Sequence, residues 1–310
     1  MYDIITIGEI LAEVLAEEAG QVFYKPGRLL GPYPSGAPAI CIDQAARMGA
    51  KTAIIAKVGQ DDFGRLNLKR LADSGVDVSH VIQTDQNTTG VAFVTYFEDG
   101  SRQFIFHFSK AACGELGPAD VDESAIKSAR YLHIMGCSIT GSPTMGVAIS
   151  FDPNIRPELL HGKVMDYYNE IIEASDVLLS GKSELRLLFG DVEAAIADLL
   201  NQKDRIVVIK DGSRGASVYT RREAFSMGAY PATEVDPTGA GDCFDATFLA
   251  MLVAGGDLRT AARYAGAAGA KAVEGRGPME GNTYRREIEA FMRETPAVAE
   301  ATLESPYRAI

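Results

Sequence analysis

Asp236-Pro237-Thr238-Gly239-Ala240-Gly241-Asp242 runs directly into Cys243-Phe244-Asp245-Ala246-Thr247-Phe248-Leu249-Ala250. The second stretch has the apolar pattern of a helix, so the first reads as a turn feeding its N-terminus. Gly239 and Gly241 open backbone conformations closed to residues with a Cβ, and consecutive N–H groups can then converge on one point. The positive end of the helix dipole adds to the same attraction, which makes the loop a candidate cradle for phosphate or for charge developing on phosphate. Asp242 would repel a resting phosphate. It makes sense there as a base that takes a proton from a hydroxyl about to attack phosphorus. On these residues alone the competing reading is a Gly-rich loop with Asp242 as a helix N-cap.

Working outward, 310 residues can bury a large core and are long for one simple domain, so one big α/β unit with an appendage is expected. A net charge of −12 argues against nucleic acid or an anionic membrane surface as the main partner. Cys41, Cys113, Cys137 and Cys243 are widely spaced, with no CxxC pair and only four His, so neither a zinc site nor a disulfide framework is indicated. A reducing cytoplasm fits that pattern. Met1 leads straight into an apolar strand, and no stretch approaches 18 apolar residues, so neither export nor a membrane span is expected.

The remaining chain alternates strands and helices. Tyr2 to Gly8, Thr52 to Val58, Tyr131 to Gly136, Val147 to Asp152, Asp176 to Ser180 and Ile206 to Lys210 read as buried parallel strands. Ala39 to Met48, Arg65 to Ser74, Leu258 to Val273 and Tyr284 to Met292 read as helices. In such sheets ligands bind beyond the carboxyl ends of the strands, which brings Glu9 and Glu13, just after the first strand, into consideration. Residues 20 to 36 are rich in Gly and Pro and end in Ser35-Gly36-Ala37-Pro38, where backbone could approach a ligand closely. Gly90 to Phe97 and Arg102 to Phe108, joined by Glu98-Asp99-Gly100-Ser101, read as a β-hairpin. A hairpin interrupting an α/β series suggests a second, smaller sheet, either a surface ribbon or a lid that keeps water from a transferring phosphoryl group. Gly212 and Gly215, after the Ile206 to Lys210 strand, suit a nucleotide against bare backbone or a plain turn. Between Gly136 and Val147 the link is too short for a crossover helix, so a helix is missing there.

With these residues assembled, the chain resembles the PfkB, or ribokinase-like, family of carbohydrate kinases over nearly its whole length, closest to its fructokinase and 2-keto-3-deoxygluconate kinase-like branches. The opening loop matches the family's D-T-x-G-A-G-D, with Pro237 and Thr238 in exchanged order. Val58 to Gly64 matches V-G-x-D-x-F-G, and Asp152 to Arg156 matches D-P-N-x-R. The resemblance implies a three-layer α/β/α sandwich with a mainly parallel sheet plus a small β-sheet lid, in one domain over residues 1–310 with the lid drawn from about 11–36 and 88–112. It implies ATP-dependent phosphorylation of a sugar hydroxyl, with Mg2+ and a K+ requirement as an open extra, and a homodimer joined through the lid.

Roles transfer by position. Asp242 would be the general base, and the Gly239, Ala240 and Gly241 amides would stabilise the transferring phosphoryl group. Glu13, Gly36, His107 and Arg156 would face the sugar, and Lys210, Gly212 and Gly215 the nucleotide. Glu184, the acid of an N-x-x-E motif, would place Mg2+ through water, and Asp236 would order a monovalent-cation site. Ile40 stands where the sugar turn usually carries Asn, and Gly181 replaces the Asn of N-x-x-E. His107 falls near the position where keto-acid enzymes use Arg, and His pairs with carboxylate less reliably. A neutral ketohexose such as fructose or tagatose is therefore expected, with a keto-acid kinase or a catalytically silent sugar sensor as alternatives. A Rossmann oxidoreductase is disfavoured, because no G-x-G-x-x-G follows the first strand.

Overall fold

The computed structural model describes residues 1–99, 101–138, 148–155, 164–296 and 298–307. In the first half, β1 (Tyr2–Ile7), β2 (Leu11–Ala16) and β3 (Leu29–Ser35) precede α1 (Ala37–Arg47), β4 (Thr52–Gly59) and α2 (Asp62–Asp73). Then come β5 (Val81–Thr84), β6 (Gly90–Tyr96), β7 (Arg102–His107), α3 (Glu123–Lys127), β8 (Ala129–Met135) and β9 (Ala148–Asp152). The second half holds α4 (Val164–Ala174), β10 (Val177–Gly181), α5 (Lys182–Phe189), α6 (Val192–Gln202), β11 (Ile206–Lys210), β12 (Ala216–Tyr219) and β13 (Ala224–Met227). α7 (Ala240–Val253), α8 (Leu258–Ala272), α9 (Arg285–Glu294) and β14 (Glu300–Leu303) close the described chain.

Ten strands form one sheet in the order β14-β13-β12-β11-β10-β9-β8-β1-β4-β5. Pairing is parallel from β11 to β5 and antiparallel from β11 out to β14. Alternation along each strand assigns its side chains to two cores. Ile4 and Ile54 pack with α1, α7 and α8 on one face, whereas Ile5 and Ile55 pack with α3, α4 and α6 on the other. Burial on both faces explains why β1, β4 and β11 are near-continuous apolar runs. This is the α/β sandwich the resemblance implies.

The second sheet has the order β3-β2-β6-β7. β6 and β7 form the expected hairpin, with Val94 opposite Phe104. β2 and β3 occupy sequence read as an acid-bearing segment and a Gly/Pro-rich turn. β2 pairs parallel to β6, and β3 extends that sheet antiparallel to β2, so tertiary pairing overrides weak local β-propensity. The V-G-x-D-x-F-G motif has a structural use here. The Asp61 carboxylate caps α2 by accepting from Gly64 N at 2.8 Å, and it also accepts from Thr89 N at 2.7 Å and Thr89 Oγ1 at 2.8 Å. It thus ties the base of the small sheet to the large one. β8 and β9 pair in parallel, and the short link between them runs through residues 139–147, outside the described residues, as do Gly100 and Arg156. No helix among the described residues is long and apolar enough to cross a membrane.

Candidate active site

The carboxyl ends of the parallel strands deliver the chemistry. β1 runs out at Glu9, β9 at Asp152 to Asn154, β10 at Gly181 to Glu184, and β11 at Lys210 to Gly212. Opposite them, the loop from Asp236 to Gly239 enters α7. Gly239 takes φ +82°, and a Cβ there would lie 2.3 Å from the Pro278 carbonyl, so only glycine fits. Gly241 differs from the sequence reading. It stands inside the first turn of α7 without a positive φ, and a Cβ there would meet nothing nearer than Lys210 Nζ at 3.6 Å. Its bareness opens space instead of permitting a turn. The Ala240 N–H is turned toward the Pro237 carbonyl at 3.4 Å, so the first-turn amides of Gly241 and Asp242 are the better placed pair for an anion.

Two cavities meet at this loop. The first is lined by Leu11, Glu13, Ser35, Phe104 and Phe106 from the small sheet, with Phe108 just after it, by Glu9, Gly36 and Ile40 from the end of β1 and the start of α1, and by Asn154, Thr238 and Asp242. It contains no Lys or Arg among the described residues. The second, a wide groove, is lined by Arg102, Lys182, Arg186, Lys210 and Arg214, with Asp152, Glu184, Asp211, Asn154, Gly212, Gly239, Gly241 and Asp242. Asp242 and Asn154 belong to both. The protein is acidic overall, yet this groove gathers five cationic side chains against four acidic ones, a local balance that suits a phosphate chain.

Glu13 is 3% exposed, and its Oε2 accepts from Ser35 Oγ at 3.0 Å. Gly36 has φ +107°, and a Cβ would strike the Glu9 carbonyl at 2.5 Å, so backbone forms that part of the wall. Glu9 shares the pocket. It accepts from Cys137 Sγ at 3.1 Å and from Ser138 Oγ. Ile40 supplies an apolar surface where the expected Asn would have supplied an amide. His107 is a correction. β7 alternates, so Phe104 and Phe106 face the pocket while His107 faces solvent with its ring against Phe93. An exposed His on the outer face cannot reach a sugar in this pocket.

Lys210 Nζ lies 2.7 Å from Asp245 Oδ2 and 3.2 Å from Asp152 Oδ2. Burial alone would lower the Lys210 pKa, but the two carboxylates outweigh it and hold the ammonium charged. Burial pushes Asp245 well above the usual carboxylate range. Against the same burial, Lys210 holds Asp152 below it. Asp152 is thus the ionised partner, and Asp245 the one inclined to keep a proton. Gly212 lies in the groove wall at the end of β11, while Gly215, at φ +95°, lies against the Met227 carbonyl and turns the chain into β12.

Glu184 accepts from Gly181 N at 2.7 Å and from Ile155 N at 2.8 Å. Burial, with Asp152 nearby, raises its pKa. Its oxygens hold two backbone amides, and no group of three or more His, Cys, Asp or Glu among the described residues could hold a metal ion. Asp236 is 1% exposed. It accepts from Thr238 N at 2.9 Å, Gly277 N at 2.9 Å and Tyr96 Oη at 2.6 Å, which staples the loop to the small sheet and to the segment after α8.

The sequence reading brought Glu9 into consideration without giving it a role, and it missed Ser35, Asn154, Lys182, Arg186, Arg214 and the Phe104 to Phe108 wall as site residues. Glu9 and Lys182 were legible from their position directly after strands. The phenylalanines became legible only once the hairpin's facing was known.

Comparisons with known proteins place the chain among sugar kinases. The chain is 31% identical to the 2-dehydro-3-deoxygluconokinase of Thermoproteus tenax over 313 aligned residues, covering 94% of this chain and 95% of that one. It is 29% identical to fructokinase-2 of Solanum lycopersicum over 270 residues, 81% of each. A solved Escherichia coli structure, provisionally named Ribokinase II and holding ATP and Mg2+, superposes with a TM-score of 0.89 at 43% identity, covering 95% of this chain and 100% of that chain. The pattern of the pfkB family carbohydrate kinases matches residues 1–284, and the chain belongs to that family of phosphotransferases, which act on an alcohol group.

Proposed function

We propose that this sugar kinase transfers the γ-phosphoryl group of ATP to a hydroxyl of a neutral ketohexose such as fructose or tagatose. The observation that carries the proposal is the position of Asp242, which lines both the carboxylate-rich pocket and the cationic groove beside the N-terminus of α7. A carboxylate at that junction deprotonates the attacking hydroxyl, worth about 10²- to 10⁴-fold in rate. The Gly241 and Asp242 amides stabilise the charge on the group in transit. Lys210, with Lys182 and Arg214, attracts the nucleotide phosphates, and Gly212 keeps the groove wall bare. Mg2+ would supply charge neutralisation of the phosphates when bound, with Glu184 contacting it through water. Asp236 orders the loop and, with it, any monovalent-cation site.

The pocket's chemistry supports a neutral sugar. Glu9, Glu13 and Asp242 repel a substrate carboxylate, while Phe104, Phe106 and Ile40 offer an apolar face. The second reading, a 2-keto-3-deoxygluconate kinase, is favoured by the Thermoproteus relative and by Arg102, a cation near the junction. The small sheet acts as a lid, and a second copy of the chain docks on its outer face, where Ile105 is 40% exposed. Sedimentation of Ile105→Glu against the parent tests the dimer.

Release of ADP with Mg2+ and D-fructose, D-tagatose or 2-keto-3-deoxygluconate separates the two sugar readings. Asp242→Asn is expected to abolish transfer while sugar affinity stays within a few-fold. Surviving activity would remove Asp242 from the role of base.

A further inference from the structure

Asn154 is the only non-glycine residue among the described residues with positive φ, at 38°. Asparagine tolerates this region better than other side chains, and the site stores a modest backbone cost there. Its amide lies between two carboxylates. Nδ2 donates to Asp242 Oδ1 at 3.1 Å and lies 3.5 Å from Asp152 Oδ2 and 3.6 Å from Met135 Sδ. Two acceptors on that side fix which end of the amide carries the hydrogens. The other end, Oδ1, is buried with no hydrogen-bond partner among the described residues, and the residue, 6% exposed, lines both cavities. Leaving a buried amide oxygen without a partner is costly, so a site that keeps one is built for a donor that arrives with the substrate.

We propose that Asn154 is a specificity-determining and positioning residue. Through Nδ2 it fixes the rotation of the Asp242 carboxylate, and through Oδ1 it accepts a hydrogen bond from a second substrate hydroxyl, close to the one that attacks phosphorus. A carbonyl oxygen can only accept. On a neutral sugar the only such donors are hydroxyls, and a keto or carboxylate oxygen in that place would meet Oδ1, Asp152 and Asp242 as repulsion. The substrate class is a polyol with a free hydroxyl near its reacting carbon. This inference rests on the kinase reading and deepens it.

The test compares the parent enzyme with Asn154→Gly, which accepts the backbone conformation and removes both contacts, and Asn154→Asp, which keeps an acceptor but replaces the donor with a charge. Each is assayed with D-fructose or D-tagatose, whichever the parent turns over faster, and with the 3-deoxy and 4-deoxy derivatives of that sugar. The parent should lose at least about tenfold in kcat/KM on one deoxy sugar, and Asn154→Gly should lose less than about threefold on the same comparison. Asn154→Asp should retain the discrimination but drop in kcat, and KM for ATP should stay within about twofold in both variants. Matching thermal midpoints show that each variant folds. Equal discrimination in parent and Asn154→Gly overturns the inference alone, as does an altered Mg2+ requirement with discrimination intact, which would make Oδ1 a contact to the ion's hydration shell. No turnover of either ketohexose by the parent instead overturns the ketohexose reading, and the same comparison is then run on 2-keto-3-deoxygluconate and its 4-deoxy derivative.

Discussion

Arg102, on the last strand of the small sheet, donates from Nη1 to Thr238 Oγ1 in the phosphate loop at 2.9 Å. Tyr96 Oη lies 2.7 Å from the same hydroxyl and donates to Asp236 at 2.6 Å. The small sheet is thereby hydrogen-bonded to the loop that enters α7, and its one groove-lining cation points at the junction of the two cavities. Removing the guanidinium takes away a charged donor whose value is about 1.5–3 kcal/mol. Arg102→Ala should therefore lower kcat/KM for ATP by roughly ten- to a hundredfold, and Arg102→Lys should recover part of the loss, because it keeps the charge without the planar fork. Steady-state kinetics with each substrate varied in turn check this. An unchanged kcat/KM for ATP in Arg102→Ala would confine Arg102 to loop packing.

The buried Asp152–Lys210–Asp245 cluster makes an asymmetric prediction. Lys210→Met leaves the ionised Asp152 buried without its cation and should cost about 3–5 kcal/mol in urea unfolding. Asp245 already favours its protonated form, which an amide imitates, so Asp245→Asn should cost less than about 1.5 kcal/mol. Equal losses in the two variants would mean that Asp245 is the ionised partner.

The sheet was legible in the sequence because strands buried on both faces read as unbroken apolar runs, and β1, β4 and β11 do. The loop at Gly239 to Asp242 was legible because glycine and acid together have few uses. What stayed hidden depends on facing and on partners distant in sequence. Nothing in Arg102 to Phe108 says which alternate residues look inward, so His107 was assigned inward and the phenylalanines were not. Nothing near Asn154 announces Asp242, which is 88 residues away. β2 and β3 are strands because β6 offers them an edge, and β14 forms on β13 in a tail of no evident β character.

A buried histidine gives the fold a pH dependence. His133, in the central strand β8, has its Nδ1 3.1 Å from Ser150 Oγ and its Nε2 without a hydrogen-bond partner among the described residues, and burial lowers its pKa from 6.5 to about 4. The unfolded chain therefore takes up the proton first as pH falls. The stability held above pH 6.5 is lost progressively down to pH 4 and changes little below that. The loss attributable to His133 is about 3 kcal/mol. His133→Gln should flatten the stability profile between pH 7 and 4 relative to the parent, as read from urea midpoints across that range. A parallel profile would place the acid sensitivity elsewhere.

Gly239 and Gly241 are two residues apart, yet the structure gives them different reasons to lack a side chain. At Gly239 the backbone is left-handed and a Cβ would press on the Pro278 carbonyl, so Gly239→Ala combines a conformational cost of about 1–2 kcal/mol with overpacking of about 1–3 kcal/mol. It should lower the thermal midpoint and activity together. At Gly241 the backbone is helical, where alanine is favoured, and a Cβ would stand 3.6 Å from Lys210 Nζ in the groove. Gly241→Ala should therefore fold at least as stably as the parent but crowd the phosphate path, lowering kcat/KM for ATP by about 10²-fold, comparable to losing one anion-hole donor. Calorimetry and kinetics on the two variants separate these effects. If Gly241→Ala keeps full activity, the transferring group does not pass between Lys210 and the first turn of α7, and the groove's cations bind the nucleotide farther from that turn.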